Sequence, residues 1–133
     1  MFTKLHNVVI AVKDVDEATK LYTDTYGFQV SRAGFNPKTG LKNAIFPIGD
    51  ATIELVQPFD PEEKAVTKFL QNRGEGLYML ELEVESIDSA IQSLRAKGVR
   101  LLGDDPESRA KGIPAFIHPQ STKGVLIELV QKA

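Results

Sequence analysis

Apolar positions along this chain follow two periods, alternation and helical spacing, and the switch from one to the other occurs twice in the same order. Residues 5–12 and 77–84 are apolar and β-branched and predict strands. A helix signal follows each. Asp14 with Glu17 three positions later makes a capping-box start, Ala18, Leu21, Tyr22 and Tyr26 recur at helical spacing, and Gly27 closes the segment. In the later stretch Ser86 is the cap, Ala90, Ile91 and Leu94 form the apolar stripe, and Gly98 ends it. Three strands are predicted after each helix, at 28–32, 41–47 and 51–57 and then at 99–102, 113–117 and 124–131, with Gly49 and Asp50 as a hairpin turn. Between the two sets, Asp60 to Asn72 predicts a linking helix carrying Ala65, Val66, Phe69 and Leu70. The stretches 31–40 and 103–112, rich in Gly, Pro and basic residues, are the longest irregular segments and candidate lids.

The two sets are copies. IELVQ stands at Ile53 to Gln57 and again at Ile127 to Gln131. Aligning LHNVVIAVKDVDEATKLYTDTY with LYMLELEVESIDSAIQSLRAKG places Val12 with Val84, Val15 with Ile87, Asp16 with Asp88 and Ala18 with Ala90; a one-residue shift brings Gly27 opposite Gly98. The predicted fold class is therefore α+β, two tandem βαβββ modules forming a curved mixed sheet around a concave cavity. Residues 1–133 are expected to form a single domain, with modules at 1–59 and 74–133 and a linking helix at 60–73.

Strand alternation assigns each polar side chain a face. On the first strand His6, Val8, Ile10 and Val12 are expected to face the module helix, with Asn7, Val9 and Ala11 opposite. Glu128 sits between Leu126 and Val130, on the face away from Val125, Ile127 and Leu129. Its repeat mate Glu54 sits between Thr52 and Val56. Met79, Glu81 and Glu83 share a face against Tyr78, Leu80, Leu82 and Val84. Glu54, Glu81 and Glu128 thus become candidate acid–base residues on one concave surface. His6 is expected to be packed or at the surface, His118 to be a turn residue before Pro119, and Tyr78 to belong to the core.

Composition narrows the chemistry further. The 133 residues carry a net charge of −2, with 42% hydrophobic and 26% charged side chains, the balance of an ordinary globular domain. No basic block marks a nucleic-acid partner, and no apolar run approaches the roughly 20 residues that span a bilayer. The opening MFTKLHNVV lacks the layout of a secretory signal, so a cytoplasmic protein is expected. The absence of cysteine removes disulfides, thiolate nucleophiles and Cys-rich zinc sites, and His6 and His118 are the only imidazoles.

LHNVVIAVKDVDEA at 5–18, KFLQNRGEGLYMLELEV at 68–84 and FIHPQSTKGVLIELV at 116–130 resemble the vicinal oxygen chelate superfamily, and within it the methylmalonyl-CoA epimerase branch. That resemblance implies a metal on the concave face, held by a histidine on the first strand of each copy and commonly by Glu on the last strands. Those positions fall on Asn7, Glu54, Met79 and Glu128. With both imidazoles replaced, the implied cofactor is none, or a weakly held divalent metal on Glu54 and Glu128. The family's second base has no carboxylate counterpart here, since Ser31 to Gly49 contains no Asp or Glu.

Three functions follow. The first is a glyoxalase- or epimerase-like protein with a degenerate metal site, using Glu54, Glu81 and Glu128 on a small carbonyl or acyl compound. The second is non-catalytic small-molecule binding, with Val9, Met79, Phe46 and Leu126 as an apolar wall and Asn7 and Asn43 orienting the ligand. The third is a metal-dependent lyase or isomerase. All three expect a small-molecule ligand or substrate and a homodimer.

Overall fold

The computed structural model describes residues 1–133. Its elements are β1 (Phe2–Ala11), α1 (Val15–Tyr26), β2 (Arg32–Asn36), β3 (Leu41–Ile48), β4 (Ala51–Pro58), α2 (Ala65–Arg73), β5 (Gly76–Val84), α3 (Ile87–Ala96), β6 (Leu101–Leu102), α4 (Pro106–Ala110), β7 (Ala115–Ile117) and β8 (Leu126–Gln131). This is the predicted mixed α+β architecture with a repeated βαβββ order; α4 is an addition within the second copy. No helix is long and apolar enough to cross a membrane. The chain divides into two compact units, Asn7–Tyr78 and Met1–His6 with Met79–Ala133.

In the unit Asn7–Tyr78 the strands run in the order β2-β3-β4-β1. β2, β3 and β4 form an antiparallel meander, and β1 joins β4 in parallel. One sheet face takes α1: Val12, Val15, Ala44, Phe46 and Leu55 are buried there, with Ile10, Ile53, Tyr22 and Phe28 packed around them. The rings of Tyr22 and Phe46 stack at 5.7 Å, and Phe28 meets both edge-on. Burying side chains such as Phe46 and Leu55 contributes about 1.5–3 kcal/mol each. By alternation Asn7, Asn43, Ile45, Thr52 and Glu54 face the other way.

In the second unit β5 pairs in parallel with β8, and β7 and β6 continue antiparallel. Its core is Val84, Ala90, Ile91, Leu94, Ala115, Ile117 and Leu129, beneath α3. Thr3 of β1 belongs to this unit and donates to the Glu83 carboxylate at 3.0 Å.

The repeated pentapeptide has a structural task at its last residue. Gln57 Oε1 accepts from Val15 N at 2.9 Å, and Gln131 Oε1 accepts from Ile87 N at 2.9 Å. Each glutamine therefore satisfies the first N–H of its module helix. Asp14 and Ser86 satisfy the third, at Glu17 N and Ser89 N.

Boundaries differ from expectation where caps consume residues. The strand predicted at 28–32 is β2, at 32–36. Gly27 turns left-handed at φ 75, and Phe28 N then bonds Tyr22 O, so 27–28 close α1 instead of starting a strand. The stretch 31–40 is accordingly strand and turn, not an irregular lid. The linking helix starts at Ala65 and not Asp60, because Glu63 caps it from outside: its carboxylate accepts from Val66 N and Thr67 N, each at 2.9 Å. The second irregular stretch, 103–112, contains α4, with Pro106 in its first turn. Ser108's hydroxyl and backbone N–H hold the capping Asp105 carboxyl below its usual range. Gly103 precedes it at φ 70, where a Cβ would lie 2.2 Å from Pro114 O.

Candidate functional site

Asn7 is the buried polar residue of the chain, at 5% exposure. Such a group must be hydrogen-bonded on both ends of its amide, and it is. Its Nδ2 donates to Glu54 Oε1 at 2.9 Å, and its Oδ1 accepts from Thr52 Oγ1 at 2.8 Å. Asn43 Nδ2 donates to the other oxygen, Glu54 Oε2, at 2.8 Å. The sheet register explains the convergence. Val9 on β1 and Ile45 on β3 flank Glu54 directly, while Asn7 and Asn43, each two residues earlier in its own strand, approach on the same face from either side. A carboxylate only accepts, so both amides must turn their nitrogens toward it. Hydrogen bonds of this charge-assisted kind are worth about 1.5–3 kcal/mol each.

In the other unit Glu81 and Glu128 are register partners on β5 and β8, and Met79 and Leu126 are the next pair on the same face. Phe116 is opposite Glu128 on β7. All of these side chains are half-buried.

The predicted site residues thus separate into groups. Asn7, Asn43 and Glu54 come together within one unit, joined by Thr52, which sequence reasoning passed over although alternation puts it on Glu54's face. Val9 is buried on that face, at 3% exposure. Glu81, Glu128, Met79 and Leu126 cluster in the other unit. Phe46 is a correction: it is fully buried on the α1 side, against Tyr22 and Phe28, and cannot line a wall with Asn43, three residues away and of opposite parity. His118 is the turn residue expected, its Nδ1 accepting from Gln120 N at 3.0 Å. His6 is exposed on β1. Tyr78 packs edge-on against Phe69 at 5.2 Å; burial and then the Glu63 charge raise its hydroxyl pKa.

The residues present do not fit the divalent metal that the architecture implies. Asn7 offers its nitrogen, which has no lone pair for a cation, to Glu54, and its oxygen is engaged by Thr52. Met79 supplies a soft thioether, and no three Asp, Glu or His side chains are grouped where they could share an ion.

A further feature went unread in the sequence. A cleft of about 460 Å³ along β2 and the following turn is lined by Arg32, Phe35, Asn36, Lys38 and Asn43, so that it adjoins the Glu54 cluster through Asn43.

Relatives carry the same arrangement of strands and helices. The chain matches the family model described as Glyoxalase/Bleomycin resistance protein/Dioxygenase superfamily over residues 6–116. The mitochondrial methylmalonyl-CoA epimerase of Mus musculus is 35% identical over 96% of this chain and 72% of that protein. The ethylmalonyl-CoA/methylmalonyl-CoA epimerase of Cereibacter sphaeroides is 34% identical over 98% and 99%. A solved structure of a Streptomyces coelicolor methylmalonyl-CoA epimerase variant in complex with 2-nitronate-propionyl-CoA superimposes with a TM-score of 0.85 at 33% identity, covering 100% of this chain and 96% of that one. The chain belongs to the glyoxalase/bleomycin resistance/dioxygenase superfamily, and its relatives there include methylmalonyl-CoA epimerases.

Proposed function

We propose that this protein acts on an acyl-CoA thioester by proton transfer at the carbon next to the thioester carbonyl, with carboxylates as the proton carriers. The observation that carries the reading is the Glu54 carboxylate, held in one orientation by Asn7 and Asn43. Each of its oxygens keeps a lone pair beyond the amide bond it accepts, so Glu54 remains able to take a proton. Asn43 spends one of its two N–H bonds on Glu54 and has the other to offer to a carbonyl oxygen on which negative charge grows. In the step proposed, Glu54 removes the α-proton and the C–H electron pair moves into the thioester as an enolate. A carboxylic acid then returns a proton to the opposite face, and the centre is inverted with no net change of atoms or electrons.

Incubation with methylmalonyl-CoA in D2O tests the reading directly, because α-deuteration reports proton exchange whether or not inversion completes. Deuterium uptake is expected, and Glu54→Gln is expected to slow it roughly 10²–10⁴-fold. Uptake unaffected by that substitution removes Glu54 from the mechanism. The closed bonding of Asn7 also suits a second reading, binding without turnover. It is favoured if acyl-CoA raises the melting temperature while no deuterium enters.

A further inference from the structure

One strand grips the Asn7 amide at both ends. Thr52 and Glu54 stand two residues apart on β4 and so share a face, and Thr52 is the register neighbour of Asn7 on β1. Thr52 supplies a donor to the amide oxygen at 2.8 Å, and Glu54 an acceptor for the amide nitrogen at 2.9 Å. The two contacts act differently. Glu54 only accepts, so it selects which end of the amide faces it. It does not fix the amide plane, because the torsion that turns an Asn carboxamide is broad and lacks sharp staggered wells. A bond at the opposite atom removes that swing, and Thr52 makes it from a β-branched side chain that is itself stiff at χ1.

The repeat gives an independent observation. The mates of Asn7, Thr52 and Glu54 in the other copy are Met79, Leu126 and Glu128. Met79 and Leu126 are register neighbours in their unit, as Asn7 and Thr52 are in theirs. The copies therefore differ at both members of the pair and agree at the carboxylate: an amide with a hydroxyl in one, two apolar side chains in the other. The hydroxyl stands only where the neighbouring strand carries an amide for it to hold. We infer that Thr52 is a positioning residue for proton transfer at Glu54. It acts through Asn7, whose fixed amide, with that of Asn43 on the other oxygen, sets the plane of the Glu54 carboxylate. This inference rests on the acid–base reading of Glu54 above and adds to it a residue that works without touching the reacting atoms.

The test is a double-mutant cycle of Thr52→Val and Asn7→Ala, read by α-deuteration of methylmalonyl-CoA, with Thr52→Ser as the conservative variant. Thr52→Val is expected to lower kcat roughly 10-fold or more while KM stays within about 2-fold, and Thr52→Ser to restore the rate. In the Asn7→Ala background the same Thr52→Val change is expected to cost less than about 2-fold, because its route to Glu54 is already gone. Equal losses in the two backgrounds, or Thr52→Ser as slow as Thr52→Val, overturn the inference. Thr52→Ala takes the place of Thr52→Val if the latter does not fold. A second measurement needs no turnover: hydrogen exchange of the Asn7 side-chain amide, followed by NMR, is expected to quicken at least about 10-fold in Thr52→Val and not in Thr52→Ser. Unchanged exchange in Thr52→Val overturns the inference on its own. If wild-type protein takes up no deuterium, the acyl-CoA reading falls, and the amide exchange then decides whether Thr52 holds Asn7.

Discussion

Glu54 and Glu128 occupy the same place in the repeated pentapeptide, yet the two units surround them differently. Glu54 is flanked in register by Val9 and Ile45 and receives an amide N–H on each oxygen. Glu128 has Glu81 where Glu54 has Val9, and Phe116 where Glu54 has Ile45. Met79 stands where Asn7 would supply an amide. One copy holds its carboxylate as the acceptor of two amides, and the other places two glutamates in register on neighbouring strands. The glutamine that ends the pentapeptide does the same work in both. Duplication therefore retained what makes a helix start correctly and diverged at the positions that face away from the helices.

Matched substitutions can break this comparison, and the largest effect belongs to the shared scaffold. Leu55→Ala and Leu129→Ala remove repeat-related core side chains, both at most 2% exposed. Each should cost about 2–5 kcal/mol in urea unfolding; a loss confined to one copy would show that the cores are not equivalent. Next comes Asn7→Ala, which leaves a Glu54 oxygen and the Thr52 hydroxyl without their partner and should cost about 1–3 kcal/mol. Its mate Met79→Leu keeps volume and should cost under about 1.5 kcal/mol. Equal losses at the two positions would contradict the asymmetry drawn above. The glutamines come third: Gln57→Ala and Gln131→Ala should each lower stability by about 0.5–2 kcal/mol, as removal of other helix N-terminal caps does. Thermal melts of the two variants should shift alike. Glu54→Gln, which replaces an acceptor the two amides rely on, should destabilise at pH 7.

Much of the fold was legible because its signals are local or repeated. Asp14, Gly27 and Ser86 mark the helix ends they were expected to mark, and the repeat alone established two copies of one module. Errors arose where a terminus absorbed its neighbours, as Gly27 and Phe28 did before β2 and Glu63 did before α2. Asn7, Asn43 and Glu54 were picked out singly as polar residues on one face. Their bonding was not readable, because it depends on which residue of β1 and which of β3 stands beside Glu54. Phe46 was misplaced against a rule the sequence already contained, the alternation of faces along β3.

Period, caps and repetition act over a few residues and are written into the chain, so element type, order and the two-copy plan followed from sequence alone. Register between β1, β3 and β4 joins residues more than ten or forty positions apart, and no local preference specifies it. Only packing the α1 side with Phe46 and Leu55 holds that register, and with it the opposite face on which two asparagines converge on one carboxylate.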